Sequence, residues 1–113
     1  MKRTDLKTAN GFVLVLVTAP DLRTARRLAR AALQARLAAC VNLVPRLESH
    51  YWWRGKMESS REILLLLKTR SAQLDPLAAF IRAEHPYETP EFLVLPLRGG
   101  SKQYLAWLAE NCG

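Results

Sequence analysis

The chain has 113 residues, half of them hydrophobic, and carries 17 lysines and arginines against 10 acidic residues, a net charge of +7. That length and apolar content specify one domain with its own core and exclude a disordered chain. No apolar run approaches the roughly 20 residues of a membrane helix, and the spacing of the two cysteines, Cys40 and Cys112, matches no zinc motif.

The opening M-K-R-T-D-L-K-T-A-N lacks a small-residue cleavage site and is not read as a signal peptide. It reads as a basic flexible tail over residues 1–11, ahead of a single domain over 12–113. Residues 12–18 form a first strand, apolar at consecutive positions and so buried on both faces. Pro20 and Asp21 suit a helix start. A helix over 22–36 follows, with Leu22, Ala25, Ala29, Ala32 and Leu33 on its apolar stripe. Arg23, Arg26, Arg27 and Arg30 lie on its other side. Such a stripe is usually a solvated helix face, and nucleic-acid binding is the minority reading.

Residues 41–68 read as one long hairpin with Arg54-Gly55-Lys56 as its turn, where Gly55 can take positive φ. Pro45 lacks an amide proton and marks a bulge or an edge. Beyond it, Leu47, Ser49, Tyr51 and Trp53 point one way and Arg46, Glu48, His50 and Trp52 the other. Each arm is about twice the usual strand length, so the tip overhangs the sheet. Tyr51, Trp52 and Trp53 put too much aromatic surface there to stay wet, and a second copy of the chain is the expected cover.

A second helix spans 71–84 on Leu74, Leu77, Ala78 and Ile81, with Pro76 in its first turn, where an amide proton has no helical partner. It ends at His85-Pro86. The stiff loop 85–91 precedes a last strand over 92–97. Gly99-Gly100 is a break, and Ser101 caps a final helix over 102–110. The order is β-α-β-β-α-β plus a C-terminal helix, an α+β ferredoxin-like sandwich with a long central hairpin. Three strands are apolar on both faces, two helices cover one face, and a short third cannot cover the other. A tight homo-oligomer follows, of two or three subunits.

Catalytic motifs are absent from the sequence. It has no Gly-rich phosphate loop or nucleophile elbow. The turn after the first strand reads T-A-P-D, with an acid where the ferredoxin-like acylphosphatases need an arginine. The strand E-I-L-L-L-L-K-T carries no aromatics to stack an RNA base. What remains is the loop cluster Glu84, His85, Glu88 and Glu91, whose imidazole and carboxylates suit zinc, nickel or copper. The alternative is a His85 ring bonded to backbone and solvated glutamates. His50 has no obvious co-ligand.

V-T-A-P-D at 17–21, R-L-A-A-C-V-N-L-V-P at 36–45, Y-W-W-R-G-K at 51–56, L-K-T-R at 67–70, H-P-Y-E-T-P-E at 85–91 and Y-L-A-W-L at 104–108 together resemble the CutA divalent-cation tolerance family. The resemblance implies a homotrimer whose long hairpins reach between subunits, with interfaces at Tyr51, Trp52 and Trp53. It also implies a link to tolerance of copper and other divalent cations, and no established enzymatic activity. Copper-binding members place a cysteine before T-A-P and two adjacent histidines before P-Y. This sequence has Val17 and Glu84-His85 there, so any metal is expected at His85 and Glu84, in a weaker site of borderline preference. No cofactor is required. The expected partners are further copies of the chain, with a divalent metal or a small anionic metabolite in the inter-subunit clefts. The cysteine usage fits a reducing cytoplasm.

Overall fold

The computed structural model of the chain describes residues 5–113; residues 1–4, which begin the expected tail, lie outside the described residues. In chain order the elements are β1 (Leu6–Thr8), β2 (Phe12–Ala19), α1 (Leu22–Gln34), β3 (Cys40–Trp53) and β4 (Lys56–Arg70). A 3₁₀ turn over Ser71–Gln73 leads into α2 (Leu74–Glu84), and β5 (Leu93–Pro96), β6 (Gly99–Ser101) and α3 (Lys102–Asn111) complete the chain. The main sheet has the antiparallel order β3-β4-β2-β5. With α1 and α2 on one face, this is the ferredoxin-like fold.

The alternation of β2 and β4 divides the apolar side chains between two faces. Val13, Val15 and Val17 join Ile63, Leu65 and Leu67 beneath Ala25, Leu28 and Ala32 of α1 and Leu77 and Ile81 of α2. Asp21 caps α1, accepting from the Thr24 amide at 2.8 Å, a bond that holds its carboxyl below the usual range. Leu28 is fully buried in the α1 stripe, whereas Leu33, expected there, is 38% exposed. The helix ends two residues before that stripe would place it, because Arg36 turns the backbone left-handed at φ 59°.

On the opposite face α3 covers only one end, packing Leu105 and Leu108 on Phe12 and Ala9. Beyond it a row of leucines runs across the sheet. Leu14 pairs with Leu95, Leu16 with both Leu66 and Leu93, and Leu64 with Val44. None of these is buried, and Leu93 is 55% exposed. The two-face argument from sequence thus has a physical counterpart: one covered apolar face and one largely bare.

The hairpin arms contain 14 and 15 residues, and Ile63–Arg70 of β4 also pairs with β2 while Lys56–Glu62 pairs with β3 alone. A 15-residue strand spans about 50 Å, which matches the 49 Å long axis of the molecule. The turn is shorter than expected. Lys56 pairs with Trp53, leaving Arg54 and Gly55 at φ 50° and 78° as a two-residue turn. The predicted bulge at Pro45 is present as a register shift between Val44 and Leu47, with Arg46 at φ 63°.

Two segments read as unstructured are strands. Leu6–Thr8, placed in the tail, pairs antiparallel with Gly99–Ser101, placed at the break. A Cβ on Gly99 would come within 2.9 Å of the Lys7 carbonyl oxygen, so the glycine that signals a break in sequence is what lets the strands approach. Ser101 caps α3 as expected, its hydroxyl accepting from the Tyr104 amide at 3.1 Å.

Candidate functional site

The stiff loop 85–91 leaves α2 and crosses to the bare face beside the end of β2. His85 anchors it. The residue is 7% exposed, its Nε2 lies 2.7 Å from the Thr18 carbonyl oxygen, and its Nδ1 accepts from the Tyr87 amide at 3.0 Å. Since Nδ1 accepts, the proton is on Nε2 and is donated to Thr18. Both ring nitrogens are therefore engaged. Glu84 turns elsewhere: its carboxylate faces Arg27 at 3.8 Å, and its carbonyl accepts from the same guanidinium at 2.9 Å. Val17 lies fully buried in the core.

These positions do not fit a metal. His85 has no free lone pair, Glu84 is directed at an arginine and Val17 has no donor atom. Among the described residues no group of three or more His, Cys, Asp or Glu side chains is arranged to hold an ion. Cys40 and Cys112 are free, with the Cys112 thiol donating to the Leu108 carbonyl at 3.2 Å. His50 stands on the exposed hairpin, 3.6 Å from Glu48. The α1 arginines are all exposed, and Arg27 is held by Glu84.

What the loop builds instead is a cleft of about 770 Å³ between itself and the overhanging hairpin. Thr18 forms part of its floor, the loop supplies Tyr87, Glu88 and Glu91, and the hairpin supplies Ser49, Tyr51, Trp53 and Glu62. The hairpin residues converge because the ladder pairs Leu47 with Glu62 and Ser49 with Ser60. Beyond the bulge, Leu47, Ser49, Tyr51 and Trp53 of β3 therefore share a face with Glu62. Glu62 is 7% exposed, and the Tyr87 hydroxyl donates to its Oε2 at 2.8 Å. Burial, and then that bond to a carboxylate, push the Tyr87 phenol well above its ordinary range. Burial, and then the charge of Glu62, raise the Glu91 carboxyl. At the mouth, Arg54 reaches Glu88 at 3.3 Å and lies 5.4 Å from the Trp53 ring centroid.

Of the residues singled out in sequence, the structure brings Tyr51, Trp53, His50, Glu88 and Glu91 to the cleft, with His85 behind its wall as a brace. Trp52 alternates to the other side of the hairpin and is 72% exposed beside its partner Met57. Glu62 and Tyr87 were missed. Strand alternation placed Glu62 two residues from Leu64 on the bare face, but nothing local linked it to a tyrosine 25 positions away.

Comparison with known proteins bears on the whole domain. The family model described as CutA1 divalent ion tolerance protein matches residues 13–111. A rice protein named Protein CutA 1, chloroplastic, is 46% identical over 99 residues, covering 88% of this chain and 56% of that protein. The chain thus spans about half the length of the plant relatives it matches. The divalent-cation tolerance protein CutA of Pectobacterium atrosepticum is 47% identical over 96 residues, covering 85% of this chain and 87% of that one. Among solved structures, the divalent cation tolerance protein Cut A1 from Thermus thermophilus superposes with a TM-score of 0.88 at 44% identity. The match covers 90% of this chain and 99% of that one.

Proposed function

The chain belongs to the CutA1 divalent ion tolerance family, and from that premise we propose that it is a non-catalytic homotrimeric signalling scaffold acting in divalent-cation tolerance. The observation that carries the assembly is the bare leucine face. Leu93, Leu95 and Val44 are each at least 40% exposed, and they adjoin the half-buried Leu14, Leu16, Leu64 and Leu66. A monomer gains nothing from such a patch in water, whereas covering it contributes roughly 25 cal/mol per Å². The strands at both sheet margins, β3 and β5, are also unpaired on their outer sides among the described residues. The overhanging hairpin, with Tyr51, Trp52 and Trp53, reaches toward a neighbouring subunit. Three subunits rather than two follows from the family resemblance.

The ligand site is the cleft between the hairpin and the 85–91 loop. His85 serves it as a brace. The relation to divalent cations therefore runs through assembly and ligand sensing and not through a His85–Glu84 metal centre. An anionic metabolite has little to support it, since no lysine or arginine among the described residues lines this cleft. The free thiols fit a reducing compartment, and the cytoplasm is the location we assign.

Light scattering on the purified chain tests the assembly. The expected mass is three times 12.8 kDa, and Leu93→Glu together with Leu95→Glu should lower it. A wild-type monomer overturns the assembly. Titration with Cu(II), Zn(II) and Ni(II) tests the metal reading: saturable binding abolished by His85→Ala, in protein that remains folded, would restore the metal centre.

A further inference from the structure

The ligand cleft described above has a charge that the rest of the chain does not prepare for. The protein is net +7, yet the acidic residues of the cleft include Glu62, Glu88 and Glu91, and among the described residues no lysine or arginine lines it. An acidic cluster alone is commonly a solvated surface. Here one member is not solvated. Glu62 is only 7% exposed, its Oε2 takes the Tyr87 hydroxyl, and no buried side-chain oxygen among the described residues lacks a partner. Its Oε1, with no donor from the described residues, must therefore open into the cleft that Glu62 lines. A carboxylate whose other oxygen is held by the Tyr87 hydroxyl is a preorganised acceptor. Leaving it without a donor is unfavourable, and a cationic N–H removes that penalty.

The walls fit the same chemistry. Tyr51, Trp53 and Tyr87 line the cleft, and aromatic faces attract organic cations within about 6 Å. The protein itself supplies an example at the mouth. The Arg54 guanidinium sits 5.4 Å from the Trp53 centroid and 3.3 Å from the Glu88 carboxylate, pairing one cleft aromatic with one cleft acid. Deeper in, Glu62 and Glu91 press on each other, which raises the Glu91 carboxyl further than burial does alone. A cation between them relieves that repulsion. A bare metal ion suits the site poorly, because no trio of carboxylate, imidazole or thiolate groups among the described residues converges on one point. The volume of about 770 Å³ is that of a small-molecule site.

We infer that the cleft binds a small organic cation carrying a primary ammonium or guanidinium group, with Glu62 Oε1 and Glu91 as its carboxylate partners and Tyr51, Trp53 and Tyr87 as its aromatic walls. This rests on the assignment of the cleft as the ligand site and names the class of ligand. Arg54 is the residue a cation would compete with for Glu88 and Trp53.

Isothermal titration of the full chain with agmatine tests the inference, with glutarate as the anionic control and zinc chloride as the metal control. Light scattering is run on the same samples. The expected result is saturable agmatine binding at one site per chain, no glutarate binding, and affinity at least tenfold lower in Glu62→Gln. That variant keeps an acceptor for Tyr87 and so should fold. Trp53→Leu should also weaken binding, while Arg26→Ala on the far helix should not. No agmatine binding, or equal affinity in Glu62→Gln, overturns the inference. Zinc binding lost in Glu62→Gln would overturn it in favour of a metal. A trimer that fails to bind agmatine refutes the ligand class alone, whereas a monomer that binds it refutes only the assembly.

Discussion

Replacing His85 by alanine separates a structural brace from a metal ligand. In the folded chain the imidazole donates to the Thr18 carbonyl at 2.7 Å and accepts from the Tyr87 amide at 3.0 Å, while its ring lies 4.7 Å from that of Tyr87. Each hydrogen bond contributes about 1 kcal/mol net, and its loss leaves the opposite backbone group without its partner at a further cost. Removing the buried ring adds a packing term. The sum is about 3 kcal/mol, a large fraction of the total for a domain of this size. Urea unfolding followed by tryptophan fluorescence measures it, at one fixed protein concentration because an oligomer's apparent stability depends on concentration. A loss below about 1 kcal/mol would refute the brace, since two satisfied backbone contacts and a buried ring cannot be so cheap to remove.

Three further perturbations probe the same region and its support. Tyr87→Phe removes the donor to buried Glu62 and should destabilise by about 2 kcal/mol, the range for a hydrogen bond to a charged group, in the same urea assay. Glu91→Gln tests the raised carboxyl. The folded state holds this proton above the ordinary value of 4.5, so it binds more protons than the unfolded chain over that interval. Stability then falls as pH rises through it. The variant should decline less than wild type from pH 4.5 upward, and an unchanged slope in denaturation midpoint against pH would contradict the shift. Gly55→Val places a side chain at φ 78° where its Cβ meets nothing within 4 Å. The expected cost of about 1–2 kcal/mol is thus purely conformational, read as a lower thermal midpoint.

The sheet, its hairpin and the two main helices were legible because each rests on a local rule. Consecutive valines and leucines in β2 and β4 mark strands apolar on both faces, Pro45 marks the bulge, and Gly55 marks the turn. The α1 stripe was slightly misphased because leucines 28 and 33 both adjoin it, and the left-handed turn at Arg36 decides that Leu33 lies at the fraying end. The small β1–β6 sheet was not legible at all. Three residues of L-K-T and three of G-G-S have neither the length nor the side chains of a strand. Their pairing is set by α3, whose Leu105 and Leu108 pack on Ala9 and Phe12 and bring the segments together.

The site was legible in its residues and not in its wiring. A histidine beside prolines and glutamates advertises ligand chemistry, but whether a ring nitrogen is free depends on what lies opposite. Here that is the carbonyl of Thr18, 67 positions earlier in the chain. Net charge misled in the same way. It sums over the molecule, and the basic excess sits largely on exposed positions such as α1, while Glu62 of β4 and Glu88 and Glu91 of the 85–91 loop line one cleft. A ligand responds to the local field within about one Debye length, roughly 8 Å at physiological salt, so the sign of the cleft and not of the chain selects what enters. Hairpin length then carries functional meaning. A β4 that began at Ile63 would complete the sheet, and the residues that extend it, with Glu62 and the aromatics of β3, form the wall that the loop alone cannot.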